Sequence, residues 1–372
     1  MRQRAQGAQG AQCMQWPPLA GVRRIAVLRP NAVGDFVFAL PALHALKQAY
    51  PDACLTLVGK EWHRDFLAGR PGPVDDVAVM PPVPGVGAAP GTGGDGEAIE
   101  DFIARMREQS LDVALQMFGG GRHSNAFLQR FGARLSVGAR ARDAPPLDRW
   151  LPYREPVPRR LALLEIAGLA GAPPTLPPVP ELALVDADRA EAAAALPPVP
   201  GERLAVLQPG ASDPRRRWPA HRFAALGDRL ARQGLRVAIN GAPAEAALVA
   251  EVAGRMRHPA VPLAGRLGLG GLCGLLARAR LLVSNDTGPL HLALALGVPS
   301  VGIFWLTNLV EGMPLRPSLL HAALSARTRC PVCGQDNVAL RCPHDASFVA
   351  DVGLDEVAVL AGRALDETGQ AP

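Results

Sequence analysis

The sequence predicts an α/β protein made of two similar halves. Three observations carry this reading. Short apolar runs of the kind that form strands buried on both faces alternate with helical stretches. The alternation halts at a proline-rich segment and then restarts. The chain has 372 residues, enough for two sizeable cores. Composition agrees: 48% of residues are hydrophobic but only 5% aromatic, so the interior is built from Ala, Leu and Val, and a disordered chain is excluded.

Residues 1–21 read as a flexible tail, with Met14 as a second possible start and no apolar stretch of the signal-peptide kind. The first domain, 22–178, opens with a strand from Val22 to Arg29. The loop PNAVGD and a helix from Phe36 to Tyr50 follow. Further strands are expected at Ala53 to Val58, Val74 to Met80 and Asp112 to Phe118, with a helix from Glu97 to Gln109. Pro81 to Gly96 reads as a long, mobile surface loop. Ala172 to Pro200 reads as a linker carrying one short strand and an Ala-rich helix.

The second domain, 179–350, repeats the pattern: a strand from Arg203 to Gln208, the loop PGASDPRRRWP, a helix from Ala220 to Gln233 and a strand from Leu235 to Asn240. Helices from Pro243 to Met256 and Leu269 to Ala279 follow. The strand Leu281 to Ser284 then leads through Asn285-Asp286-Thr287-Gly288 into a helix from His291 to Leu296, which Gly297 ends before a strand from Val298 to Phe304. Residues 351–372 form a last helix, Leu354 to Leu365, and a tail. Both halves are therefore expected to be Rossmann-like, facing each other across a cleft.

The polar loops follow strands, where open α/β sheets bind ligands. Asp35, beside Gly34, is either a helix cap or a general base. Arg215, Arg216 and Arg217 precede a helix and form an anion site or a solvated run. Glu245 suits a ribose hydroxyl or a helix dipole. Thr287 can cap its helix, the N–H groups after Gly288 can face an anion, and His291 falls one turn further on. No GxGxxG follows the first strand, and the only lysines, Lys47 and Lys60, complete no GxxxxGK, so dinucleotide and P-loop motifs are excluded.

Cys330, Cys333, Cys342 and His344 form CxxC…CxH, a structural zinc site or a group of reduced thiols. Six cysteines without a secretory signal point to a reducing, cytoplasmic compartment. The longest apolar stretch, Leu292 to Leu306, is broken by Gly297 and Pro299, so no membrane span is expected. Net charge is +5. Arg122 to Arg160 holds nine Arg against Asp143, Asp148 and Glu155, a larger surplus than the whole chain's. This face either meets an anionic, lipid-anchored acceptor at the inner-membrane surface or is a scattered solvated surface. Nucleic acid is not demanded by this charge.

Arg29-x4-Gly34-Asp35 with Pro41, then PGAS…RRRWP, then NDTGPLH resemble glycosyltransferase family 9, the ADP-heptose:lipopolysaccharide heptosyltransferases. The resemblance runs from Val22 to about Gly362. It implies a GT-B fold and an inverting, metal-independent transfer from a nucleotide-sugar donor, ADP-heptose, to a lipopolysaccharide-core or related lipid-linked glycan. It also implies Asp35 as base, with Asn31, Gly34 and Arg122 on the acceptor side. Gly210, Ser212, Arg216, Glu245, Asp286, Thr287, Gly288 and His291 would hold the donor. No cofactor is required for catalysis, and a monomer peripheral to the membrane is expected. The family often has Lys where this chain has Arg216. The alternatives are a nucleotide-sugar epimerase on the same architecture and a non-catalytic sugar-nucleotide-binding protein.

Overall fold

Ile25, Ala26, Val27 and Leu28 are almost wholly inaccessible to solvent, as a strand covered on both faces must be. They belong to β1 (Arg24–Leu28). The computed structural model describes residues 16–338 and 340–369; residues 1–15 of the expected tail, with Cys13 and Met14, lie outside the described residues. After β1 come α1 (Val33–Ala49), β2 (Cys54–Gly59), α2 (Glu61–Leu67), β3 (Asp76–Val79) and the two-residue strands β4 (Val83–Pro84) and β5 (Gly87–Ala88). Then follow α3 (Gly96–Glu108), β6 (Val113–Gln116), α4 (Ser124–Gln129), β7 (Leu135–Arg140), β8 (Arg149–Pro152) and α5 (Arg159–Leu169).

The chain continues through α6 (Asp186–Ala195), β9 (Leu204–Gln208), α7 (Ala220–Arg232), β10 (Arg236–Ile239), α8 (Ala246–Arg255), β11 (Ala260–Pro262), α9 (Leu269–Arg278) and β12 (Ala279–Asn285). It ends with α10 (Gly288–Ala295), β13 (Ser300–Trp305), α11 (Leu306–Gly312), β14 (Leu320–Ser325) and α12 (Leu354–Gly369).

Two six-stranded sheets result, ordered β3-β2-β1-β6-β7-β8 and β11-β10-β9-β12-β13-β14. Every pairing within them is parallel. With the small β4–β5 ribbon set aside, both follow the doubly wound order 3-2-1-4-5-6. In that topology the chain reverses direction across the sheet between β1 and β6, and between β9 and β12. Loops leaving those strands diverge and open a crevice at the strands' carboxyl ends.

Several expectations are corrected. The first helix starts at Val33, with Ala32 as its N-cap, so Asp35 lies in the first turn and is not the cap. The segment 81–96 divides in two: Val86 is fully buried and Val83 nearly so, both in one cluster with Phe102 of α3, whereas residues 89–96 are exposed as a surface loop is expected to be. No strand forms between Ala172 and Val185. Pro173, Pro174, Pro177, Pro178 and Pro180 lack the N–H groups a ladder needs. The helix expected from Pro243 opens as a 3-10 turn, and α8 begins at Ala246.

One apolar cluster runs through both halves, joining Val27, Phe36, Leu40 and Leu163 to Leu272, Leu290 and Leu294. A second lies beneath α7 and α12, where Phe223, Phe348, Val357 and Ala361 meet. Polar contacts also cross the junction. Arg70, after α2, pairs with Asp188 of α6 at 2.5 Å, both side chains 3% exposed. Arg160 of α5, 1% exposed, donates to the carbonyls of Gly312 (2.9 Å) and Met313 (3.2 Å). Arg159 pairs with Glu311 at 3.2 Å. Glu181 sits between Arg160 and Arg316, with Oε2 buried and unpartnered.

Asp188→Ala would leave the Arg70 guanidinium buried without its counter-ion. The expected loss of stability is about 3–5 kcal/mol, measured by urea unfolding. Burial pushes the Glu181 carboxyl up to about 7, against the pull of Arg160 and Arg316. A raised folded-state value means that its contribution to stability is intact below pH 4.5, its ordinary value, and lost as pH rises through 7. Glu181→Gln should therefore abolish this loss. Unfolding curves at several pH values should show the variant gaining on the parent as pH rises from 5 to about 8.

Candidate functional site

The site is built where the carboxyl ends of β1 and β12 meet across the junction. Leaving β1, Arg29 is buried with its side chain 6% exposed, and it is tied down on three sides. Its Nη1 donates to the Met117 carbonyl, its Nε to the Asp35 carbonyl at 3.1 Å, and its Nη2 to Asp35 Oδ1 at 3.0 Å. Burial pulls the guanidinium down to about 10, opposed by the Asp35 charge, so it remains a cation at neutral pH. Asp35 is 39% exposed and therefore accessible.

The first turn of α1 abuts the first turn of α10, and two glycines permit it. A Cβ at Gly34 would lie 3.3 Å from His291 Cδ2 and 3.6 Å from Gly288 Cα; one at Gly288 would lie 3.4 Å from Val33 Cβ. Two helix N-termini, each with unsatisfied N–H groups and partial positive charge, thus converge. Asn31 Oδ1 and Thr287 Oγ1, one on each facing loop, are buried without a hydrogen-bond partner. Thr287 occupies the N-cap position with the extended backbone usual there (φ −150°, ψ 171°), yet its hydroxyl makes no capping bond and Oγ1 is buried.

Asp286 organises the second half's contribution. Oδ1 meets His291 Nε2 at 3.1 Å; Oδ2 accepts from Arg216 Nη1 at 3.1 Å and Asn308 Nδ2 at 2.9 Å. Burial alone would raise this carboxyl, but the His291 hydrogen bond and the charges of His291 and Arg216 prevail and hold it low. Burial pushes the His291 imidazole below its ordinary value, against Asp286. Phe38 stands edge-on to that ring, centroids 4.5 Å apart, with the Arg160 guanidinium 4.8 Å from the Phe38 centroid. Both Asp286 oxygens and His291 Nε2 have protein partners, His291 Nδ1 is buried without one, and Thr287 and Gly288 sit at the helix start.

The three arginines do not act together. Arg216 Nη2 donates to Ser212 Oγ at 2.9 Å while Nη1 reaches Asp286. Arg215 turns inward to Asp213 and Asn337, and Arg217 donates to the Ala211 carbonyl. The loop is fixed to β12 by Asn285, which accepts from Trp218 N and donates to the Pro209 carbonyl. Gly210 lies under Glu245, where a Cβ would meet Oε1 at 1.9 Å. Glu245 Oε2 accepts from Ala242 N and Gln208 Nε2.

Arg122 is exposed and paired with Asp143. The basic window is largely spoken for. Arg130, Arg134 and Arg159 have carboxylate partners, Arg160 is buried, and Arg140 and Arg149 lie over Trp150 and Trp16. Arg142 and Arg154 are exposed without a recorded carboxylate partner among the described residues. Cys330, Cys333, Cys342 and His344 bring their ligand atoms within 4.8 Å of one another. His344 Nδ1 is buried and unpartnered. The Asn337 side-chain hydrogen bond is the foremost influence pulling the Cys342 thiol down to about 6.

Sequence reasoning missed Asn285, Asn308 and Arg160 as site-supporting residues. Asn285 lay within a polar cluster already singled out and Arg160 closes the basic window, whereas Asn308 reaches the site from a segment that carries no local signal.

A family model described as glycosyltransferase family 9 (heptosyltransferase) matches residues 99–337. Lipooligosaccharide heptosyltransferase 2 of Haemophilus ducreyi is 26% identical over 297 residues, 74% of this chain and 81% of that protein. Lipopolysaccharide heptosyltransferase 1 of Pseudomonas aeruginosa is 28% identical over 295 residues, 77% and 79% of the two chains. In structure, a glycosyl transferase family 9 protein from Veillonella parvula superposes with a TM-score of 0.76 at 18% identity, covering 93% of this chain and 97% of that one. ADP-heptose LPS heptosyltransferase II of E. coli gives 0.70 at 19%, covering 93% and 99%. These likenesses bear out the GT-B architecture, and the extent of the family match makes the chain a member of glycosyltransferase family 9 and a glycosyltransferase.

Proposed function

We propose that the protein transfers heptose from ADP-heptose to a lipopolysaccharide-core acceptor by a single inverting displacement that needs no metal. The names of the relatives support the substrates; the juxtaposition of Asp35 with the α10 N-terminus supports the chemistry. In this reading the acceptor hydroxyl attacks the anomeric carbon from the face opposite the diphosphate. Its proton passes to Asp35 as the new C–O bond forms. The bond from the anomeric carbon to the diphosphate oxygen breaks, and the electron pair leaves with the ADP. Arg216, the N–H groups at the start of α10 and the converging helix dipoles stabilise that growing charge. Asn31 Oδ1 and Thr287 Oγ1, buried without a protein partner, are the groups that sugar hydroxyls entering between the two loops would satisfy. Glu245, beside Gly210, takes a ribose hydroxyl. Asp286 and His291 position Arg216 and the α10 N-terminus.

Asp35→Asn keeps an oxygen for Arg29 but removes the base. Turnover should fall by about 10²–10⁴ with donor affinity unchanged, read by ADP release and by ADP titration. A variant with near-normal turnover would leave Asp35 a merely structural residue. Donor consumed without any acceptor would favour the epimerase.

The lipid-linked acceptor places the protein at the inner-membrane surface, held peripherally. No helix among the described residues is long and apolar enough to cross a membrane. The exposed Arg142 and Arg154 are the groups free to meet anionic lipid, at about 1 kcal/mol each. Changing both to Gln should weaken binding to anionic vesicles by roughly tenfold or more at low salt, measured by co-sedimentation. The Cys330, Cys333, Cys342 and His344 donors suit a structural zinc: three thiols and one imidazole, close enough for tetrahedral ligation, with an orphaned ring nitrogen among them.

A further inference from the structure

We infer that the Cys/His site is mechanically coupled to the arginine turn that meets the donor, so that metal occupancy sets how firmly Arg216 is held. This rests on the zinc and donor readings above and adds the link between them. The link is Asn337, which is 8% exposed. Its Oδ1 accepts from Cys342 N at 3.2 Å and from Arg215 Nη1 at 3.1 Å. Its Nδ2 donates to Cys342 Sγ at 3.4 Å and to the Gln335 carbonyl at 3.0 Å. One amide thus joins a ligand cysteine to the residue preceding Arg216.

A second tie runs in parallel. Just after His344, Ser347 Oγ donates to the Arg217 carbonyl at 2.6 Å and Phe348 N to the Arg215 carbonyl at 2.8 Å. The turn Pro214–Arg216 is only three residues long, and the segment carrying the cysteines holds it through the Arg215 side chain and through the Arg215 and Arg217 carbonyls. Arg216 is left projecting to Ser212 and Asp286.

Phe348 and Val349 anchor the end of that segment in the second core, but the part around the cysteines has few apolar side chains to order it. Between β14 and α12 its regular pairing among the described residues is a single bridge, Arg329 to Asp336. Val332, Val338 and Leu340 are largely exposed. Cys330 and Cys342 are buried against the second core. A short segment without a core of its own gains its order from cross-linking, and a metal bound by four side chains supplies it. Linkage then runs both ways: metal favours the ordered turn, and a nucleotide bound by the turn favours metal retention.

The test compares the full chain loaded with zinc and stripped by chelator under reducing conditions. Metal content is read by elemental analysis, amide exchange over residues 213–217 by mass spectrometry, and ADP affinity by calorimetry. Stripping should raise exchange over 213–217 and weaken ADP binding by roughly tenfold, within the usual range of coupling between sites. Asn337→Ala should raise exchange there while retaining zinc. Arg216→Ala should weaken ADP binding and remove its dependence on zinc. Bound ADP should slow zinc release to a chelator.

Unchanged exchange at 213–217, in both stripped protein and the zinc-loaded Asn337→Ala variant, overturns the coupling. Failure to bind one zinc per chain overturns it together with the zinc reading. Raised exchange in a protein that binds no ADP upholds the coupling and sinks the donor reading instead.

Discussion

The Asp286 carboxylate is the interaction on which the second half of the site depends. Almost wholly buried, it stands at the end of β12 and satisfies His291, Arg216 and Asn308 at once. A buried carboxylate is costly unless it is both paired and hydrogen-bonded. Here the partners come from α10, the arginine turn and α11, so the requirement for satisfaction fixes three separate segments relative to one another. Arg29 does the corresponding work in the first half, where one guanidinium ties β6, the loop after β1 and Asp35 together.

Charge and shape combine at the junction. The N-terminal turns of α1 and α10 approach to the limit that two glycines allow. Both helix ends are electropositive, and bringing them together is unfavourable without negative charge nearby. Asp35 and Asp286, one in each half, supply it, while leaving N–H groups unsatisfied. An anion entering here meets fixed dipoles that need no reorganisation, the arrangement that stabilises charge most effectively in a partly dry site.

The sequence was informative where structure is locally encoded. β1, β9 and β12 are continuous apolar runs, and their burial makes them readable. The polar loops after them carry the site for the same topological reason in both halves. β8, with the sequence RWLP, was illegible because an outer strand is only half covered and shows no such run. α2 and α11 are seven residues each, too short for a helical period to declare itself. Within the site, residue types pointed to the right loops but not to their orientation. Nothing local indicates that Arg215 turns inward to Asn337 while Arg216 turns outward, because the partners lie far along the chain. The same holds for Thr287, whose residue type suggests a cap that its enclosed hydroxyl does not make.

The apolar cluster shared by both halves has a consequence for how the molecule comes apart. Leu163 and Phe36 belong to the same continuous interior as Leu290 and Leu272. Each half also has a cluster of its own, but this one is shared. A fragment cut between α5 and α6 would present a broad oily face to water, and such a surface drives self-association. The two halves are therefore joined by continuous apolar packing despite the internal symmetry, so opening the junction exposes part of the core that each half also uses for itself.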